Sequence, residues 1–208
     1  MFKDRTDAGR QLAQKLEHYR GKDAVVLALP RGGVVPGYEI AKVLDLPLDI
    51  VVVRKVGYPD NPECALCAVD DKGMRLCNEA GAATVDGTWL AEETRRQMQE
   101  AKRRVALYRG GRKPGKIAGK TALIVDDGIA TGLSMRLAVR SVKAQKPESI
   151  IVAVPVAPPE ALHDLRKEGA DDTIVLEPPE DFLGAVGAHY LQFGQVEDAE
   201  VIRLMESV

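Results

Sequence analysis

The sequence predicts an α/β protein built on a doubly wound, mainly parallel sheet flanked by helices. Two observations predict it. Apolar runs of strand length alternate with helical periodicity from end to end, and the run Thr121–Val125 is apolar on both faces, as a strand covered by helices on each side must be. The length agrees: 208 residues suit a single domain, 1–208, with a substantial core.

Taken in order, the start MFKDRTDAGRQLAQ reads as an amphipathic helix with Leu12, Leu16 and Tyr19 on one side, and it lacks the continuous apolar core of a signal peptide. Residues 24–29 form an apolar strand, and 30–44, PRGGVVPGYEIAKVL, a turn leading into a helix. Residues 49–53 are a β-branched strand left by Arg54, Lys55, Val56 and Gly57. Residues 58–62 are turn-forming. Two short strands, 65–69 and 74–77, are joined through Asp71, Lys72 and Gly73. A long charged helix, 88–108, turns Leu90, Met98, Ala101, Val105 and Tyr108 inward. After Thr121–Val125 comes a helix with Leu133, Leu137, Val139 and Val142 as its apolar members. Strand Ser149–Val154, helix 159–167 and strand 172–176 complete the alternation. Beyond Glu177 the texture changes, with Pro178, Pro179, Phe182, Tyr190 and Phe193 close together, and Val201, Ile202 and Leu204 form a short closing helix.

Bulk properties exclude several classes. A net charge of −2 supplies no basic field, so nucleic acid is not an expected partner. No 18-residue apolar span exists, so no membrane partner is expected and the expected compartment is the cytoplasm. Cys64, Cys67 and Cys77 are too few for a disulfide framework or a four-ligand zinc site, and Cys64 and Cys67, among small apolar neighbours, read as small apolar fillers. The stretch PGKIAGKT has proline where a nucleotide-binding P-loop needs glycine, and it leads into a strand rather than out of one. Its Lys113, Lys116 and Lys120 read as solvated.

The chemistry concentrates in residues 125–134, VDDGIATGLS. Asp126 and Asp127 stand at the carboxyl end of a buried strand, where open α/β sheets bind ligands. Carboxylates accept hydrogen bonds from vicinal hydroxyls. Gly128, Ala130 and Gly132 let the backbone close around a phosphate at a helix start. An ordinary helix cap would leave the adjacent acid pair unexplained. A second strand-turn-helix unit places Arg31, Gly32 and Gly33 after the first strand, which suits a dense anion held by N–H groups and a guanidinium. Arg54 or Lys55 adds a cation at the same edge if the strands are parallel.

The segment 125–134 resembles the phosphoribosyl pyrophosphate motif of the type I phosphoribosyltransferases, and Arg31-Gly32-Gly33 followed by Val-Pro-Gly is similar to the pyrophosphate loop of bacterial xanthine–guanine members. The resemblance implies that Asp126 and Asp127 hold the ribose hydroxyls. It implies that Gly128, Ile129, Ala130, Thr131, Gly132, Leu133 and Ser134 bind the 5-phosphate. Pyrophosphate would fall to Pro30, Arg31, Gly32, Gly33, Arg54 and Lys55, with a cis peptide at Pro30–Arg31. A flexible flap would span about 55–88 and a small hood about 177–208, where Phe182, Tyr190 and Phe193 are candidates to stack an acceptor or, instead, to glue the tail to the core. The implied reaction displaces pyrophosphate from C1 of the ribose by a nitrogen nucleophile, a nucleobase or related compound, with Arg31, Lys55, Asp126 and Asp127 as catalytic groups. Magnesium would be held largely through the ligand's oxygens and water, near Asp126 and Asp127. A homodimer is a further implication. The chain departs from purine salvage members at Ala130, where they carry an aspartate, and this leaves the acceptor open. A sensor of phosphoribosyl pyrophosphate or a nucleotide that does not turn it over is the alternative.

Overall fold

The computed structural model describes residues 1–62 and 64–207; Glu63, inside the expected flap, and Val208, at the end of the expected hood, lie outside the described residues. In chain order the elements are α1 (Arg5–Lys15), β1 (Ala24–Ala28), α2 (Val34–Leu44), β2 (Leu48–Ile50), β3 (Val53–Gly57), β4 (Ala65–Asp70), β5 (Arg75–Cys77), α3 (Glu79–Ala82), α4 (Gly87–Arg109), β6 (Thr121–Val125), α5 (Leu133–Lys143), β7 (Ser149–Val154), α6 (Pro159–Glu168), β8 (Asp172–Val175) and α7 (Asp198–Glu206). Single turns of 3₁₀ helix follow α1, at Glu17–Tyr19, and interrupt the tail at Pro179–Asp181 and Val186–His189.

Five strands form a parallel sheet in the order β2-β1-β6-β7-β8. Their alternate residues feed opposite layers, which is the physical content of double winding. Val25, Leu27, Ile124 and Val152 pack with Met135, Ala138 and Val142 of α5 and Leu165 of α6. Ala24, Val26, Leu123 and Ile151 pack with Leu12 and Leu16 at the α1 side and with Ile40 and Leu44 of α2. The chain moves from β1 outward to β2, then returns to place β6, β7 and β8 on the other side of β1. The order therefore reverses between β1 and β6, and a ligand crevice opens beyond the carboxyl ends of those two strands.

The single strand expected over 49–53 is two. β2 stops at Ile50, Val51 still donates its N–H to Ala28 O at 3.0 Å, and from Val53 the chain pairs antiparallel with β4 in a separate three-stranded sheet, β3-β4-β5. Val51 and Val52 are buried, so the β-branched run continues through the crossing and conceals it. Arg54 and Lys55 are consequently strand residues, opposite Val69 and Ala68.

This second sheet is the region expected as a flap, and it is packed. Val56, Leu66, Cys67 and Val69 form a core with Leu90 of α4, while Ala68 and Leu76 meet Leu133 and Leu137 of α5. Asp70 is fully buried and accepts from Ser141 Oγ at 2.7 Å and from the N–H groups of Lys72 and Met74 at 3.0 and 2.7 Å. Cys67 and Cys77, in register on β4 and β5, are joined by a disulfide, which corrects the reading of Cys67 as an apolar filler. Spacing along the chain does not reveal which residues face each other across a hairpin. Cys64 is exposed, also against that reading.

The long helix closely matches expectation, with Leu90, Ala101 and Tyr108 buried, but the short α3 before it was not anticipated. Lys120, expected to be solvated, is partly buried and paired with Asp23; Lys113 and Lys116 are exposed. The closing helix α7 packs Val201, Leu204 and Met205 against α2 and α4, and Tyr108 donates its hydroxyl to Asp198 Oδ1 at 2.6 Å. No helix among the described residues is long and apolar enough to cross a membrane.

Candidate active site

β1 and β6 run side by side to the crevice, with Ala28 opposite Val125 and Leu29 N–H on Val125 O at 2.9 Å. The two loops that leave them are pressed together. A Cβ on Gly32 would overlap the Asp127 carboxylate, and one on Gly33 would lie 2.7 Å from Leu29 O and 2.8 Å from Asp126 Cα. Both glycines are thus required by close approach to the acid pair. The Pro30–Arg31 peptide is cis, at the bond singled out from the sequence.

The acids have different surroundings. Asp126 accepts the Asp127 N–H at 2.8 Å, and burial, followed by the neighbouring Asp127 charge, raises its pKa well above the ordinary carboxyl value. Asp127 is held from outside the loop: Arg5 donates Nε–H to Oδ2 at 2.7 Å, and Tyr190 donates its hydroxyl to the Asp127 carbonyl at 2.6 Å. Arg5, at the start of α1, also donates to Gly194 O at 2.6 Å and lies over the Phe193 ring at 3.8 Å. Sequence reasoning missed Arg5, because an arginine at a helix start carries no mark of a partner so far along the chain.

The loop after β6 turns through Gly132, whose φ of 79° is open to glycine, into the first turn of α5. Ile129 is buried and spends its N–H on Val156 O at 2.9 Å, so the donors facing outward come from the later positions. Thr131 and Gly132 lead from this anchored point to the helix, with Thr131 exposed and Ser134 half-buried. Ala130, Thr131, Gly132 and Ser134 line a small cavity of about 80 Å³ together with Lys55 and Asp126. Lys55, Asp126 and Ser134 also line a large cavity of about 620 Å³ that reaches Pro30, Arg54, Tyr58 and Trp89. The fold therefore brings the acid pair, the loop before α5, the Gly-Gly loop and the β3 cations to one place.

Two expected cations have partners that the sequence did not suggest. Arg31 faces the first turn of α7, its Nη1 3.6 Å from both Glu197 and Asp198. Arg54 donates Nε–H to the neutral Gln97 amide oxygen at 3.1 Å, and its pKa is lowered by burial first and by the nearby Arg104 and Arg31 charges after it. Glu93, Arg96, Gln97 and Trp89 of α4 line the large cavity and were not anticipated, since on a charged helix they read as a solvated face.

The hood aromatics divide. Tyr190 is buried against Phe2 with centroids 5.4 Å apart, and burial followed by the Asp127 charge raises its pKa. Phe182 stacks on His189, whose Nδ1 meets Glu177 and whose Nε2 accepts the Leu183 N–H at 3.0 Å. Both act as glue for the tail. Phe193 remains 38% exposed.

The sequence profile of the phosphoribosyl transferase domain matches residues 4–192. Two curated Mycobacterium tuberculosis proteins, from strains H37Rv and CDC 1551 and provisionally named phosphoribosyl transferases, are each 41% identical over 99% of this chain and 46% of their own length. The chain thus spans about half the length of the curated relatives it matches. The crystal structure of TT1426 from Thermus thermophilus is 41% identical, with a TM-score of 0.81 over 100% of this chain and 98% of that one.

Proposed function

The chain belongs to the phosphoribosyl transferase family, and we propose that it transfers the 5-phosphoribosyl group from phosphoribosyl pyrophosphate to a nitrogen acceptor with release of pyrophosphate. One observation carries this reading: the Asp126–Asp127 pair, the glycine-opened loop at Pro30–Gly33 and the phosphate loop before α5 meet at the reversal of strand order between β1 and β6. A pair of carboxyl groups suits the vicinal ribose hydroxyls, and the free N–H groups at the start of α5 suit the 5-phosphate. In this reading Arg54 and Lys55, which line the cavity with Asp126, would take up charge on the departing pyrophosphate.

Among the described residues no group of three or more His, Cys, Asp or Glu side chains gathers to cage a metal. Asp126, which lines both cavities, with Asp127 beside it, fits magnesium all the same, because that ion keeps water and takes phosphate oxygens in preference to an all-protein shell. Bound there with Asp126 and Asp127 nearby, it would neutralise charge on the leaving group. The chain's own residues orient the ribose, hold the two phosphate ends apart and line the cavity. The acceptor nitrogen forms the new bond to C1 as the bond to the pyrophosphate oxygen breaks, and because Ala130 offers no carboxylate, the proton the nitrogen loses passes to the departing pyrophosphate or to water. The reading therefore favours an acceptor that needs no base at that point.

Calorimetry with phosphoribosyl pyrophosphate and magnesium tests the donor, and absence of binding at millimolar ligand would overturn the proposal. Pyrophosphate release across purines, pyrimidines, orotate and small amines tests turnover. Binding without release for every acceptor would make the protein a sensor, a reading that Ala130 alone favours.

A further inference from the structure

The large cavity extends well past what a compact pyrophosphate requires. Its 620 Å³ lies in the range of pockets that enclose whole small molecules. Its lining combines the cations Arg54 and Lys55 with the aromatic and apolar side chains of Tyr58, Pro59, Pro62 and Trp89. Tyr58, Pro59 and Trp89 continue into an adjoining cavity of about 510 Å³ whose rim adds the acceptor groups of Asp60, Asn61 and Asp86.

Two further features point to what belongs there. Arg54 is a part-buried cation whose side-chain partner among the described residues is a neutral amide, and the neighbouring Arg96 is already neutralised by Glu93 through two 2.7 Å hydrogen bonds. Arg54 and Lys55 thus give the pocket an excess of positive charge. The backbone N–H of Trp89 caps on Asp86 Oδ1 at 2.8 Å, which anchors the start of α4 that carries the ring. Its ring is half-buried and stacks on no other aromatic ring among the described residues.

We propose that this cavity is a nucleoside diphosphate subsite, in which the diphosphate meets Arg54 and Lys55 and the purine ring stacks on Trp89 beside Tyr58. The proposal rests on the transferase reading only in placing pyrophosphate at the same cations. Its consequence is regulatory: a nucleoside diphosphate excludes pyrophosphate and so competes at the transfer site. The acceptor atoms at the rim meet the N–H donors of a purine edge.

Trp89 is the sole tryptophan, so intrinsic fluorescence reports on the subsite directly. ADP and GDP are expected to quench it and to bind about tenfold tighter than inorganic pyrophosphate, the gain from one base stacked on an aromatic ring. Calorimetry on Trp89→Ala should bring both nucleotides down to the affinity of pyrophosphate, Trp89→Phe should keep most of the gain, and Arg54→Gln should weaken nucleotides and pyrophosphate alike. Nucleotides that bind no tighter than pyrophosphate, or that keep their advantage in Trp89→Ala, would overturn the proposal. If that happens while phosphoribosyl pyrophosphate binds, the transferase reading stands. If nucleotides quench Trp89 while neither phosphoribosyl pyrophosphate nor pyrophosphate binds, the subsite stands and the transferase reading falls.

Discussion

Arg5 and Asp127, separated by 122 positions, form a 2.7 Å ion pair that ties the first helix to the acid pair. The Arg5 side chain is 12% exposed and that of Asp127 15%, so water screens the pair little. Arg5→Ala is expected to cost about 2 kcal/mol, the range for a hydrogen bond to a charged group, and to weaken phosphoribosyl pyrophosphate binding by freeing the carboxylate. Arg5→Lys should recover little, because an ammonium cannot also reach Gly194 O and lie flat on Phe193. Chemical denaturation and calorimetry on the two variants check this; wild-type stability in Arg5→Ala would show that the pair is incidental.

Asp126 makes stability depend on pH in a stated direction. Its folded-state pKa is raised, by burial first and by Asp127 second, so the folded protein holds a proton that the unfolded chain releases in the ordinary carboxyl range. This group's cost is absent below that range and grows as pH rises toward the raised value. Asp126→Asn keeps the Oδ1 acceptor for the Asp127 N–H and removes the charge. Its Tm should exceed that of the wild type at about pH 7, with a smaller difference near about pH 4. A difference that does not change with pH would mean that Asp126 is not the titrating group.

Much of this site was legible because its chemistry forces residue types at strand ends. Packing alone rarely calls for an acid pair after β6 or two glycines after β1, and the parallel core showed itself through β6, which is apolar on both faces. Contacts made across layers left no such trace. Arg5 reads as the polar face of an amphipathic helix, and Gln97 and Trp89 as parts of a charged one. The passage of the chain from β2 to β3 is hidden because Val51, Val52 and Val53 suit either sheet. Tyr190 could be taken for an acceptor platform or tail glue until its hydroxyl was found on the Asp127 carbonyl.

Gly32→Ala tests the closeness of the two loops. The added methyl would overlap the Asp127 carboxylate and lie 3.2 Å from Arg5 Nε, so either the acid or the loop must move. Overpacking of this kind costs about 1–3 kcal/mol, and the displaced carboxylate should lower phosphoribosyl pyrophosphate affinity by about tenfold or more. Unaltered affinity would place the ribose elsewhere.

Asp70 decides whether the β3-β4-β5 sheet stays docked. Its carboxylate is fully buried and bonds the Ser141 hydroxyl of α5 with one oxygen and the turn N–H groups of Lys72 and Met74 with the other. Asp70→Ala leaves the buried Ser141 hydroxyl and two part-buried turn N–H groups without their acceptor, a loss expected at about 2–4 kcal/mol. Asp70→Asn keeps an acceptor for the turn and offers an N–H to the Ser141 oxygen, so its loss should be smaller. Ser141→Ala removes one hydrogen bond and should cost about 1 kcal/mol. The damage should also be local, because Ala68 and Leu76 rest on Leu133 and Leu137 of α5 while the parallel sheet has its own core on other faces. Hydrogen exchange should therefore show amides of β4 and β5 losing protection in Asp70→Ala while β1, β6 and β7 keep theirs. Uniform loss across both sheets would mean that the second sheet unfolds only with the whole protein, and that Asp70 is a core contact rather than a latch.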